Sequence, residues 1–133
     1  MNNNNSFSTC IVDDDPIWTN MLSQSLNNVG LQNITSFSCG IDFLQQKNHC
    51  PKVIFLDFQM EKMNGIEVLQ HIKSTNPETE VVFCTSIEDL SVAISALNYG
   101  SKDFLLKSNV NQNLVTSVLN QVFPNLIQNV KAN

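Results

Sequence analysis

The chain has 133 residues, a net charge of -5, 42% hydrophobic residues and no arginine, its seven basic residues all being lysine. That length suits one domain with a core. The acidic balance argues against direct nucleic-acid binding, no apolar run approaches a membrane span, and no secretory signal opens the chain, so the expected setting is the cytoplasm.

Met1 to Ser6 is asparagine-rich without an apolar pattern and reads as a disordered tail, with the domain proper over 7–123. Thr9-Cys10-Ile11-Val12 reads as a short buried strand running into Asp13-Asp14-Asp15-Pro16, where proline behind aspartate signals a helix start. That helix is expected from about Pro16 to Asn28, with Ile17, Met21, Leu22 and Leu26 on its inner side and Gly30 ending it. Ile34 to Ser38 is a weaker strand, placed near the sheet edge, and Ile41, Phe43 and Leu44 mark a short helix.

Val53-Ile54-Phe55-Leu56-Asp57 carries the strongest signal: four apolar residues that read as a strand buried on both faces, ending on a bare carboxylate. A polar loop, Phe58 to Asn64, leads to a helix from Gly65 to about Ser74 that carries Ile66, Leu69 and Ile72. Asn76-Pro77 is a turn. Val81-Val82-Phe83-Cys84-Thr85 is a fourth buried strand, and Leu90, Ala93, Ile94 and Leu97 give the apolar stripe of the next helix. Phe104-Leu105-Leu106-Lys107 is a short fifth strand. The last helix carries Leu114, Val115, Val118, Leu119 and Val122 and must end or kink at Pro124. Leu126, Ile127 and Val130 continue an apolar spacing, so 124–133 reads as a helical extension or tail.

Five strands alternating with five helices predict an α/β, doubly wound (βα)5 sandwich around a parallel sheet. The most apolar strands are the first, third and fourth, which fits the flavodoxin-like order 2-1-3-4-5. In that order the first and third strands are neighbours, and the crevice between their carboxyl ends is where such sheets bind ligands. Asp13–Asp15 and Asp57 fall at those two ends, with Thr85 ending the fourth strand and Lys107 the fifth.

Clustered carboxylates repel one another without a cation, and oxygen ligands around an open position suit Mg²⁺. The arginine clamp for phosphate is missing, so lysine, backbone or metal must meet any phosphoryl group. Asp57 could attack phosphorus to give an aspartyl phosphate while Lys107 holds phosphoryl oxygens and Thr85 donates its hydroxyl. Each residue alone also has an ordinary structural reading. Asp15 reads as an N-cap in preference to a ligand, and Met60 and Met63 as packing residues. Cys10, Cys39, Cys50 and Cys84 lack metal-site spacing, and His49 and His71 have no partner at a recognisable spacing. The joint placement at strand ends carries the functional reading.

From about Phe7 to Phe123 the chain resembles a receiver domain of two-component response regulators. The residues that carry the resemblance are Ile11-Val12-Asp13-Asp14-Asp15-Pro16, Asp57 with Met60 and Met63-Asn64-Gly65, Thr85, and Phe104 with Lys107. The resemblance implies that Asp57 accepts phosphate from a histidine kinase or histidine phosphotransfer protein. It implies Mg²⁺ held by Asp14, Asp57 and the backbone carbonyl of Gln59, with Asp13 assisting partly through water. Thr85 would swing toward the phosphate and Phe104 turn inward, a two-state element that switches a downstream partner surface on the fourth helix, fifth strand and fifth helix. It implies a switch that catalyses its own phosphorylation and slow dephosphorylation, with homodimer formation left open.

Four positions depart from the family's usual pattern. Glu61 replaces a proline after the methionine, Ser108 replaces the proline after the lysine, Ser86 replaces a smaller residue after Thr85, and the apolar Ile87 occupies a position thought, with Gln59, to govern attack of water on the phosphoaspartate. A cis bond to Ser108 would cost about 2.5–4 kcal/mol, which favours a trans loop there. Ile87 cannot orient water, which predicts a long-lived phosphoprotein. The alternatives are a degenerate receiver that binds partners without phosphorylation, a flavodoxin-like binding protein, and an aspartate-nucleophile phosphatase of the haloacid dehalogenase type. The flavodoxin-like reading lacks its phosphate loop. The phosphatase reading would use Asp13 and Asp15, but Pro16 and Ile17 break its pattern.

Overall fold

The computed structural model describes residues 7–46 and 50–126. The predicted tail Met1 to Ser6, His49, and Ile127 with Val130 lie outside the described residues. The elements are β1 (Ser8–Val12), α1 (Pro16–Asn28), β2 (Asn33–Phe37), α2 (Gly40–Leu44), β3 (Val53–Asp57), α3 (Gly65–Thr75), β4 (Glu80–Thr85), α4 (Leu90–Asn98), β5 (Asp103–Leu106) and α5 (Gln112–Val122). The five strands form one parallel sheet in the order β2-β1-β3-β4-β5, the order expected from the sequence. β1, β3 and β4 are the buried strands, and β2 at the edge is mostly half-exposed.

Strand side chains alternate between the two faces. Ile11, Val53, Phe55, Val82, Cys84 and Leu105 join the core under α1 and α5. Cys10, Val12, Ile54, Leu56, Val81 and Phe83 join the core under α2, α3 and α4. Met60 and Met63 pack at the edge of this second core, which is the packing role expected of them.

Two inward faces differ from the periodicity reading. On α1, Trp18, Leu22 and Leu26 are buried, whereas Ile17 and Met21 are exposed. The large indole takes the inward position and turns its neighbours outward by roughly 100° per residue. On α4 the buried pair is Ala93 and Ala96, while Ile94 and Leu97 face solvent. Small side chains let a helix sit close to a sheet, so size rather than hydropathy selects that face.

The helix ends beside the site are fixed locally. Asp15 caps α1 by accepting from the amides of Ile17 (3.0 Å) and Trp18 (3.3 Å), so it is the cap rather than a ligand. Asn64 and Glu67 form a reciprocal capping box at the start of α3, at 3.0 and 3.1 Å. Phe123 caps α5 ahead of Pro124.

Candidate functional site

The carboxyl ends of β1, β3, β4 and β5 bring the predicted polar residues to one edge of the sheet. Asp13 follows β1 and continues its pairing, its amide donating to the carbonyl of Phe37 at 3.0 Å. Asp57 is the last residue of β3, Thr85 the last of β4, and Lys107 follows β5 in a short 3-10 turn, Lys107–Asn109.

The pleat then sorts these side chains. Asp13, Asp57 and Lys107 share the parity of Ile11, Phe55 and Leu105, the α1/α5 face. Thr85 and Phe104 share the parity of Phe83, the opposite face. The acidic cluster and the Thr85–Phe104 pair are thus separated by the two-residue period of the sheet, although both stand at the same edge.

Asp13 and Asp57 are buried and Asp14 is exposed. One carboxylate oxygen from each of the three lies within 4.8 Å of the others. The ammonium of Lys107 is 2.7 Å from Asp13 Oδ2 and 3.4 Å from Asp57 Oδ1. Asp13 Oδ1 accepts from the amide of Asp15 at 2.9 Å, which ties the cluster to the α1 cap. Glu61 is exposed and is not among the clustered carboxylates. Gln59 is exposed in the loop two residues after Asp57.

The electrostatics show a cup short of positive charge. Burial, reinforced by the charge of Asp13, pushes the Asp57 carboxyl up to about 6, against the pull of Lys107. Burial also raises Asp13, with Lys107 opposing. Burial works against the Lys107 ammonium, but the hydrogen bond and charge of Asp13, with Asp57, outweigh it and raise that group. Three carboxylates face one ammonium, and all three offer hard oxygen donors, so Asp13, Asp14 and Asp57 suit a divalent cation of the Mg²⁺ type. The Thr85 hydroxyl, at the same sheet edge, is buried and has no hydrogen-bond partner among the described residues, which makes it an acceptor-seeking group.

Gly65 holds this edge together. A Cβ there would stand 2.3 Å from the carbonyl oxygen of Asp57 and 2.9 Å from Phe58 Cα, and its amide donates to the Phe58 carbonyl at 2.9 Å. The peptide bonds are all trans among the described residues, including Lys107–Ser108, as the serine there led us to expect. One neighbour of the site went unread in the sequence. Trp18 is the third residue of α1, and Lys107 Nζ sits 5.3 Å from its ring centroid. A lone tryptophan three residues after the acidic run marks the position, but nothing in the sequence pairs it with Lys107.

A doubly wound sheet with an acidic cup at its switch point, a lysine from the last strand end and a buried threonine define a class of small flavodoxin-like α/β domains. Comparison with known proteins makes this specific: residues 9–119 match the model of the response regulator receiver domain, and the chain belongs to that family. It is 29% identical over 98 residues to the chemotaxis protein CheY of Bacillus subtilis, covering 73% of this chain and 82% of that one. It is 35% identical over 69 residues to the luminescence regulatory protein LuxO of Vibrio campbellii, covering 51% of this chain and spanning only 15% of LuxO. Among solved structures, the beryllofluoride-activated receiver domain of DrrB superposes with a TM-score of 0.77 at 26% identity, covering 87% of this chain and 96% of that one.

Proposed function

We propose that this domain accepts a phosphoryl group on Asp57 from a phosphohistidine donor, a histidine kinase or a histidine phosphotransfer protein. The observation that carries this reading is the meeting of Asp13, Asp14, Asp57 and Lys107 in one cup, with Thr85 ending the neighbouring strand at the same sheet edge. Asp14, Asp57 and the carbonyl of Gln59 would hold Mg²⁺, with Asp13 assisting partly through water, and the ion would supply charge that screens the carboxylates and the incoming phosphoryl oxygens. Asp57 forms the new bond to phosphorus as the donor nitrogen leaves, giving an acyl phosphate. Lys107, already within ion-pair distance of Asp57, holds phosphoryl oxygens, and Thr85 donates the hydroxyl that now lacks an acceptor.

On this reading Thr85 and Phe104 act together, because strand parity puts both on the face away from the cup. Thr85 turning toward the phosphate vacates room for the partly buried Phe104 ring. The output is a protein docking on α4, β5 and α5. Exposed Ile94, Leu97 and Tyr99 on and beside α4, with Ile87 before it, give that side the apolar area such docking uses. Exposed Ile87 offers no group to orient water, so the phosphorylated form is long-lived. The reading places the domain in the cytoplasm; among the described residues no helix is long and apolar enough to cross a membrane.

Incubation with acetyl phosphate and Mg²⁺, followed by intact-mass measurement, tests the proposal. Wild type should gain one phosphoryl mass and Asp57→Asn none. Equal gain in both proteins, or gain in neither, would overturn it.

A further inference from the structure

Lys107 stands where the sheet has already stopped holding the chain. The last register pair of β5 is Thr85 with Leu106, one residue earlier. Beyond it, the Lys107 carbonyl takes a long 3.5 Å bond from the Val110 amide, and Ser108 and Asn109 are exposed. The position of the ammonium therefore depends on what the side chain meets. On one side it meets Asp13 at 2.7 Å and Asp57 at 3.4 Å. On another it meets the indole of Trp18, with its nitrogen 5.3 Å from the ring centroid. That separation is within cation–π range.

Trp18 is a fixed support. It is 4% exposed, packs in the core with Leu22 and Leu26, and its backbone amide is held by the Asp15 cap at 3.3 Å. Its indole N–H is buried without a partner among the described residues, so no hydrogen bond there explains its presence. What it offers is an aromatic face. Carboxylate attraction to Lys107 changes with whatever charge enters the cup, whereas the attraction of an aromatic face does not.

We propose that Trp18 is a positioning residue for Lys107: its ring keeps the ammonium over the cup while the ion pairs rearrange, so that Lys107 can leave Asp13 and reach a phosphoryl group on Asp57. This rests on the acceptor reading above. Phe supplies a face without an N–H, and Leu has a similar size without a face, so the two variants separate the ring from mere packing.

The test compares wild type, Trp18→Phe, Trp18→Leu, Lys107→Gln and the Trp18→Leu/Lys107→Gln double variant. Rates of mass gain at Asp57 are followed with acetyl phosphate and Mg²⁺, and urea melts are recorded for each protein. We expect Trp18→Phe to keep most of the wild-type rate and Trp18→Leu to fall about threefold to tenfold below it, at matched stability. In the Lys107→Gln background, Trp18→Leu should cost nothing more. Equal rates for the Phe and Leu variants, or the same loss with and without Lys107, would overturn the proposal.

A second readout needs neither turnover nor the Trp18 variants. Trp18 is the chain's one tryptophan, so its emission reports the nearby ammonium. Wild type and Lys107→Gln should differ in emission maximum or intensity, and identical spectra would overturn the proposal. If wild type gains no phosphoryl mass, the acceptor reading fails, and the emission comparison then decides the role of Trp18 by itself.

Discussion

Lys107 rests on Asp13 rather than midway between the two buried carboxylates: its ammonium is 2.7 Å from Asp13 Oδ2 and 3.4 Å from Asp57 Oδ1. Asp13 therefore does two things, lending charge to the cup and parking the lysine.

Asp13→Asn separates these effects. The change removes a negative neighbour of Asp57, so the Asp57 carboxyl should titrate lower, and Lys107 should move onto Asp57. Mg²⁺ affinity should fall by about 10–100-fold, the usual cost of losing an outer carboxylate at a metal site. Isothermal titration with Mg²⁺ measures this, and unchanged affinity would remove Asp13 from the site.

Asp57 should make stability depend on pH. Its carboxyl is raised from 3.8 to about 6 in the fold. A raised carboxyl favours the folded state in its neutral form, so its contribution is full below about pH 4 and is lost as pH rises through about 6. The shift corresponds to at most about 3 kcal/mol at 1.36 kcal/mol per pH unit. Asp57→Asn, neutral at every pH, should thus be more stable than wild type at pH 8 and about equal at pH 3.5. Urea melts at the two values check this; a difference that does not vary with pH would contradict it.

The same linkage predicts how metal acts. Mg²⁺ should raise the melting temperature of wild type at pH 7.5 and do so less as pH falls below about 6, because protons compete for Asp57. Asp14→Ala and Asp57→Asn should each lose most of the effect. Thermal melts with and without Mg²⁺ at pH 5 and 7.5 decide the matter.

Thr85→Val should divide stability from signalling. The hydroxyl is buried and unpartnered, and such groups typically cost about 1–3 kcal/mol. Valine keeps the shape, so the variant should melt at or above the wild-type temperature while gaining phosphate more slowly. A clear loss of stability would mean that the hydroxyl already has a structural partner.

Gly65→Ala should disturb the site without touching a charged group. The new Cβ would meet the Asp57 carbonyl oxygen at 2.3 Å, so backbone must shift. Overpacking of this kind costs about 1–3 kcal/mol. The phosphorylation rate should fall with it, because the displaced atoms belong to the acceptor residue. A stable variant with a wild-type rate would refute the tight packing.

Much of the architecture was readable from residue order. Val53–Leu56 and Val81–Cys84 are short, unbroken apolar runs rich in β-branched and aromatic residues, which favours strands covered on both sides. Once those strands occupy the middle of a parallel sheet, the polar residue closing each one must emerge at the same edge. That is why residue order alone gathers Asp57, Thr85 and Lys107 at one edge. Helix faces were less readable: the spacing of apolar residues singles out Ile17 and Met21 where Trp18 is buried, and on α4 it finds the buried Ala93 but adds the exposed Ile94 and Leu97 in place of Ala96. Periodicity locates a stripe to within a neighbouring residue, and the volume available against the sheet then chooses the occupant. The resting place of Lys107 on Asp13, its support by Trp18 and the contact between Gly65 and Asp57 were invisible for a further reason. Each joins segments remote in the chain through a separation of a few ångströms, and such separations exist only once the layers have packed.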